Sequence, residues 1–98
     1  MAKRRDGLTE TPAIARLVAG LLATAFRRRL IAPDADSCIA GLSEASGIDA
    51  PDDAWREAVA FALQAGLIHD PVRLPPGALQ CHYHIELTPA GAEAVRAR

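Results

Sequence analysis

The sequence predicts one α+β domain with three helices, a two-stranded hairpin and a short C-terminal helix. Three observations carry this reading. Apolar residues recur at helical spacing from Ile14 to Ala25 and again from Trp55 to Leu67. The period then changes to two, with Cys81, Tyr83, Ile85 and Leu87 alternating with His82, His84 and Glu86. Thr-Pro occurs at 11–12 and again at 88–89, each time offering an N-cap threonine and a proline suited to the first helical position.

The first helix is expected to start at Pro12, bury Ile14, Leu17, Val18, Leu21, Leu22 and Ala25, and end near Arg29. Arg27, Arg28 and Arg29 would occupy its last turn, where the helix dipole favours cations. Ile31 to Asp34 reads as a connector broken by Pro33. A second helix, starting near Asp36 or Ser37, turns Ile39 and Leu42 inward and stops at Gly47, with Ile48 plugging the core behind it. Asp49 to Asp52 (DAPD) signals the third helix, whose inner face is Trp55, Ala58, Val59, Ala62, Leu63 and Leu67. Strands are expected over 68–74 and 79–87, separated by LPPGA, and a last helix over 89–97.

Composition narrows the classes of function. Aromatics make up only 4% of the chain, so alanine and leucine must fill most of the core. Two cysteines, Cys38 and Cys81, without a CxxC pair, argue for a reducing compartment over a disulfide framework. KRR followed by AIARLVAGLLATAF imitates a secretion signal, but Asp6, Glu10 and Arg16 interrupt it and the helical pattern continues into RRR. The run is too short and too charged to cross a bilayer. The expectation is a cytoplasmic protein with no membrane partner.

Net charge is −1, so no global field draws the chain to a polyanion. The local distribution is uneven. Residues 1–29 hold seven basic and two acidic groups, net +5; residues 34–57 hold seven acidic groups against Arg56 alone, net −6. Residues 1–10, with Lys3, Arg4 and Arg5, read as a flexible basic arm, and 11–98 as the folded domain.

Three passages resemble the winged helix-turn-helix superfamily, including small bacterial regulators of the MarR and PadR type. ASGIDAPDDAWREAVAFALQAGLI, residues 45–68, is similar to the turn and second helix of a helix-turn-helix. The hairpin from Ile68 to Leu87 is similar to a wing, and LTPAGAEAV, residues 87–95, to the strand-to-helix step after it. Together they cover about half the chain. The resemblance implies a dimeric DNA-binding regulator with the third helix in the major groove and the wing on the backbone. It would put Asp52, Asp53, Arg56, Glu57, Ala60 and Gln64 on the reading face, Arg56 and Gln64 as base readers, and Arg73, His82 and His84 on the wing. Arg27, Arg28, Arg29, Lys3, Arg4 and Arg5 would add phosphate contacts from elsewhere. Against this, the third helix begins with Asp49, Asp52 and Asp53, which suit a helix start and repel a polyanion.

Other chemistries are weaker. His69, His82, His84 and Glu86 share one face of the expected hairpin, which fits exposed wing residues better than a metal site. Neither cysteine sits in a nucleophile motif, and no glycine-rich phosphate loop is present, so no enzymatic activity and no cofactor are expected. Phe61 lies off the third helix's apolar stripe and is expected to be partly buried under the wing, the alternative being an exposed contact residue. Ala15, Ala19, Gly20 and Ala23 leave the first helix open to close approach by another helix, which suggests a homodimer. Two classes of function remain open: a DNA-binding transcriptional regulator, and a non-enzymatic protein–protein interaction module that does not bind DNA.

Overall fold

The computed structural model describes residues 11–73 and 82–97. Five helices and a small sheet follow in the order α1 (Pro12–Arg27), β1 (Leu30–Ala32), α2 (Ala35–Ala40), α3 (Leu42–Ser46), α4 (Asp52–Gln64), β2 (Val72–Arg73), β3 (His82–Ile85) and α5 (Pro89–Arg96). The class is α+β. The expected arm, the LPPGA loop and Cys81 lie outside the described residues.

Helix α1 is the strut of the fold and packs against α3, α4 and α5. Its start is the expected one: the Thr11 hydroxyl accepts the Ile14 amide at 3.1 Å, and Pro12 opens the helix. Ile14, Leu17, Val18, Leu21 and Leu22 are buried. Its end is earlier than expected. Arg28 is already extended and caps the helix, so only Arg27 lies in the last turn and Arg29 precedes a strand.

That strand, β1, replaces the expected connector. It pairs antiparallel with β3, Leu30 opposite Ile85 and Ala32 opposite Tyr83, and gives a sheet ordered β1-β3-β2. Three residues are too few to show alternation in a sequence; the partner strand makes them a strand.

The expected second helix is two. Asp34, not Asp36 or Ser37, caps α2, its carboxylate accepting the Ser37 amide at 2.8 Å. That bond lowers the Asp34 carboxyl below its ordinary range. The helix stops at Gly41, whose amide bonds back to Cys38 and Ile39, and α3 begins directly after it. Gly47 ends α3 in the left-handed conformation, φ 78°, as expected.

Helix α4 is anchored by Trp55, Ala58, Val59 and Ala62, all buried. Leu63 was expected on that face but is 40% exposed, because it projects a quarter-turn from the line through Trp55 and Ala62. Leu67 lies beyond the helix, after Gly66 turns the chain at φ 77°. Phe61 is half-buried against the core.

One side chain organises the approach to α4. The Ser43 hydroxyl accepts the Ala50 amide at 3.0 Å and the Trp55 indole N–H at 2.9 Å, and donates to the Ala50 carbonyl at 2.9 Å. Pro51, without a side-chain cap bond, is the N-cap of α4, so Asp49 lies outside the helix it was expected to start.

The hairpin is one ladder with a gap. Ile68 bridges Leu87, and Val72 pairs with Tyr83; four steps on one strand match four on the other, so the register never slips. Pro71 interrupts it because it has no amide to donate, although its carbonyl still accepts from His84 at 2.8 Å. The expected strand over 68–74 is thus present in register and regular only at 72–73 within the described residues. Tyr83 and Ile85 are buried and His82 exposed, which is the expected alternation.

The strand-to-helix step is bolted to the end of α4. The Thr88 hydroxyl donates to the Gly66 carbonyl at 2.6 Å and accepts the Gly91 amide at 3.1 Å, while the Thr88 amide reaches the Leu67 carbonyl. A Cβ at Gly91 would overlap that Leu67 carbonyl oxygen. Gly20 is likewise in use: a Cβ there would strike Ile48. Part of the small-residue face expected to admit a second molecule is therefore filled from within.

Three outcomes follow for stability. Ser43→Ala strands two donors and should cost about 1–3 kcal/mol in a urea titration, and less in a Trp55→Phe background; equal costs would show that the bonds are not coupled. Gly91→Ala should destabilise by about 1–3 kcal/mol, although glycine-to-alanine inside an ordinary helix stabilises, so the sign alone decides. Burial pushes the Cys38 thiol above 9.0 and the Tyr83 phenol above 10.0. The unfolded chain therefore releases protons that the folded one keeps. Stability should hold below pH 9 and fall as pH rises past the two unfolded values. An unchanged urea midpoint up to the alkaline end of this range would contradict that assignment.

Candidate functional site

The face of α4 turned away from Trp55 carries Asp52, Asp53, Arg56, Glu57, Ala60 and Gln64, all exposed. These are the residues that the helix-turn-helix resemblance placed on a reading surface. The helix presents them because its inner stripe holds its phase through Trp55, Val59 and Ala62. Asp52 and Asp53 sit in the first turn, where the dipole stabilises them.

Arg56, the base reader expected here, is engaged. Its guanidinium donates to the Asp36 carboxylate at 2.8 Å, joining the middle of α4 to the start of α2. Asp36 raises the Arg56 pKa through this bond and its charge, with Asp52 and Asp53 reinforcing it. The pair is exposed on both sides and so is breakable. Asp36, Asp52 and Asp53 all act on the charge of Arg56, so its neighbourhood is acidic in space as well as in sequence. Asp34, Glu44, Asp49 and Glu57 are exposed as well. Gln64 ends α4 and is exposed but not without a partner.

The remaining expected contacts divide between the two ends of the sheet. His82 opens β3, is exposed and stands opposite Arg73 on β2. His84 is half-buried, between Ile31 of β1 and the Pro71 carbonyl. Arg27, Arg28 and Arg29 are exposed at the opposite end, just before Leu30 pairs with Ile85. Lys3, Arg4 and Arg5 lie outside the described residues.

His69, His82, His84 and Glu86 share one face of the hairpin by register, yet they are spread along it. His69 stands level with Glu86 and His82 with Arg73, four residues further, or about 13 Å of strand. Among the described residues no group of three or more His, Cys, Asp or Glu side chains is placed to hold a metal ion. His69, Asp70, Val72 and Glu86 line an open cleft of about 400 Å³ at the base of the hairpin.

Sequence reasoning missed Asp36 as the partner of Arg56 and Ser43 as the hub behind α4. Both pairings cross helices, at separations of twenty and twelve residues, and no local pattern encodes them. It also missed the exposure of Ile31, which follows from β1 being a strand that turns Leu30 inward and Ile31 to the opposite face. Among the described residues no helix is long and apolar enough to cross a membrane. In comparisons with known proteins, the chain matches no family model, no curated protein and no solved structure.

Proposed function

We propose that the chain is a winged helix-turn-helix domain whose helix-turn-helix face binds a protein with a basic surface and does not read DNA. The order helix, strand, two short helices, α4, hairpin, helix supports the architecture, as does the pairing of β1 onto the far strand of the hairpin. In this reading α2, α3 and α4 form the helix-turn-helix, and β2 and β3 the wing.

One observation carries the choice of partner. The basic group on the outer face of α4, Arg56, is held by Asp36 and lies within reach of the charges of Asp52 and Asp53. A phosphate backbone meeting that face would encounter like charge, whereas duplex binding rests on several arginine or lysine contacts. A basic protein surface would meet opposite charge, which speeds encounter and disfavours wrong partners. The reading assigns no catalytic step to Cys38: its thiol is buried and its pKa is raised, the wrong direction for a nucleophile.

The second reading is a DNA-binding transcriptional regulator that docks through another surface. The exposure of Arg27, Arg28 and Arg29 favours it, with Lys3, Arg4 and Arg5 in support. Fluorescence anisotropy on random duplex DNA at about 50 and 200 mM salt separates the two. The protein-binding reading expects negligible affinity at the higher salt, and expects any low-salt binding to vanish on replacing Arg27, Arg28 and Arg29 by alanine. Affinity that persists at the higher salt would overturn it: loss on replacing Arg27, Arg28 and Arg29 establishes the second reading, and loss on Arg56→Ala or Gln64→Ala would show that α4 itself reads DNA.

A further inference from the structure

We infer that the α1–β1 junction, Phe26 to Ile31, is a docking surface for the acidic α4 face of a second copy of this chain. The inference rests on the protein-binding reading of that face and names its partner.

The junction has two kinds of exposed group. Arg27, Arg28 and Arg29 are all exposed, and among the described residues their side chains make no ion pair. Phe26 and Ile31, on either side of them in sequence, are 50% and 49% exposed. Arginines alone would suit a phosphate backbone. An exposed aromatic and an exposed isoleucine gain nothing there, and gain burial against protein.

The outer face of α4 has the complementary composition. Asp52, Asp53 and Glu57 occupy its first part, and Ala60 and Leu63 follow, Leu63 being another large apolar side chain left exposed. Three cations beside two apolar groups thus match three anions beside two apolar groups, Arg56 between them being already held by Asp36.

The match is made between copies because the two patches do not pair within one: among the described residues no ion pair joins Arg27, Arg28 or Arg29 to Asp52, Asp53 or Glu57. Two different patches meeting head to tail form a heterologous contact, which closes into a ring or extends as a chain. This differs from a symmetric pairing through the small residues of α1, where Ile48 already covers Gly20.

Light scattering and sedimentation velocity on the whole chain test the inference, with two charge reversals, R27E/R28E/R29E and D52K/D53K/E57K. Wild type should gain mass with concentration at low salt and return to monomer at high salt. Each reversed variant alone should stay monomeric, and their equimolar mixture should associate again. Should the first-turn changes unfold α4, E57K/A60K leaves that turn intact and should weaken association in the same way. A wild type that remains monomeric at low salt overturns the inference, as does association that survives either reversal. Monomeric protein that also ignores duplex DNA removes the second copy and leaves the protein-binding reading standing. DNA binding through α4 removes both.

Discussion

The Ser43 hydroxyl is the interaction on which the rest of the structure depends. It uses one donor and two acceptor positions, and the three bonds tie α3, the turn at Ala50 and the indole of Trp55 together. An indole N–H enclosed in a core needs a partner, and a backbone turn between helices needs its amide and carbonyl satisfied. One small side chain meets both needs. It thereby sets the angle at which α4 leaves the turn and the phase in which α4 meets α1. The exposed face of α4 is the remainder of that choice.

Legibility varied with the range of the interaction. Thr11-Pro12 and Thr88-Pro89 were readable because a cap and its helix lie within four residues. The buried stripes of α1 and α4 were readable because periodicity is local. So was the alternation of Tyr83 and Ile85. What failed depended on distant partners. β1 exists because β3 lies beside it, and its residues read alone as a link between a basic run and Pro33. The division of the second helix at Gly41 failed differently: one glycine inside an apolar pattern permits either continuation or a break.

The candidate site was half legible. Helical phase alone identified the exposed face of α4 and its acidity. The engagement of Arg56 required knowing that the start of α2 crosses beneath it. The basic groups expected as contacts are exposed where the structure describes their side chains, with His84 half-buried. β1 separates the arginines from the tip-side end of the hairpin, so the two groups reach the surface at opposite ends of the sheet. A sequence records how charges are spaced along the chain and not which end of a sheet they reach.

The fastening of Thr88 to Gly66 has a mechanical consequence. Together with the Thr88 amide on Leu67 and the Ile68–Leu87 bridge it closes residues 66 to 88 into a loop, with Gly91 seated against the same stretch of backbone. Tension applied at the C-terminus would first peel α5 from α1 and then load these bonds at the end of α4 together with the pairing of β3 to β1. The C-terminal segment is thus a tether that yields in stages.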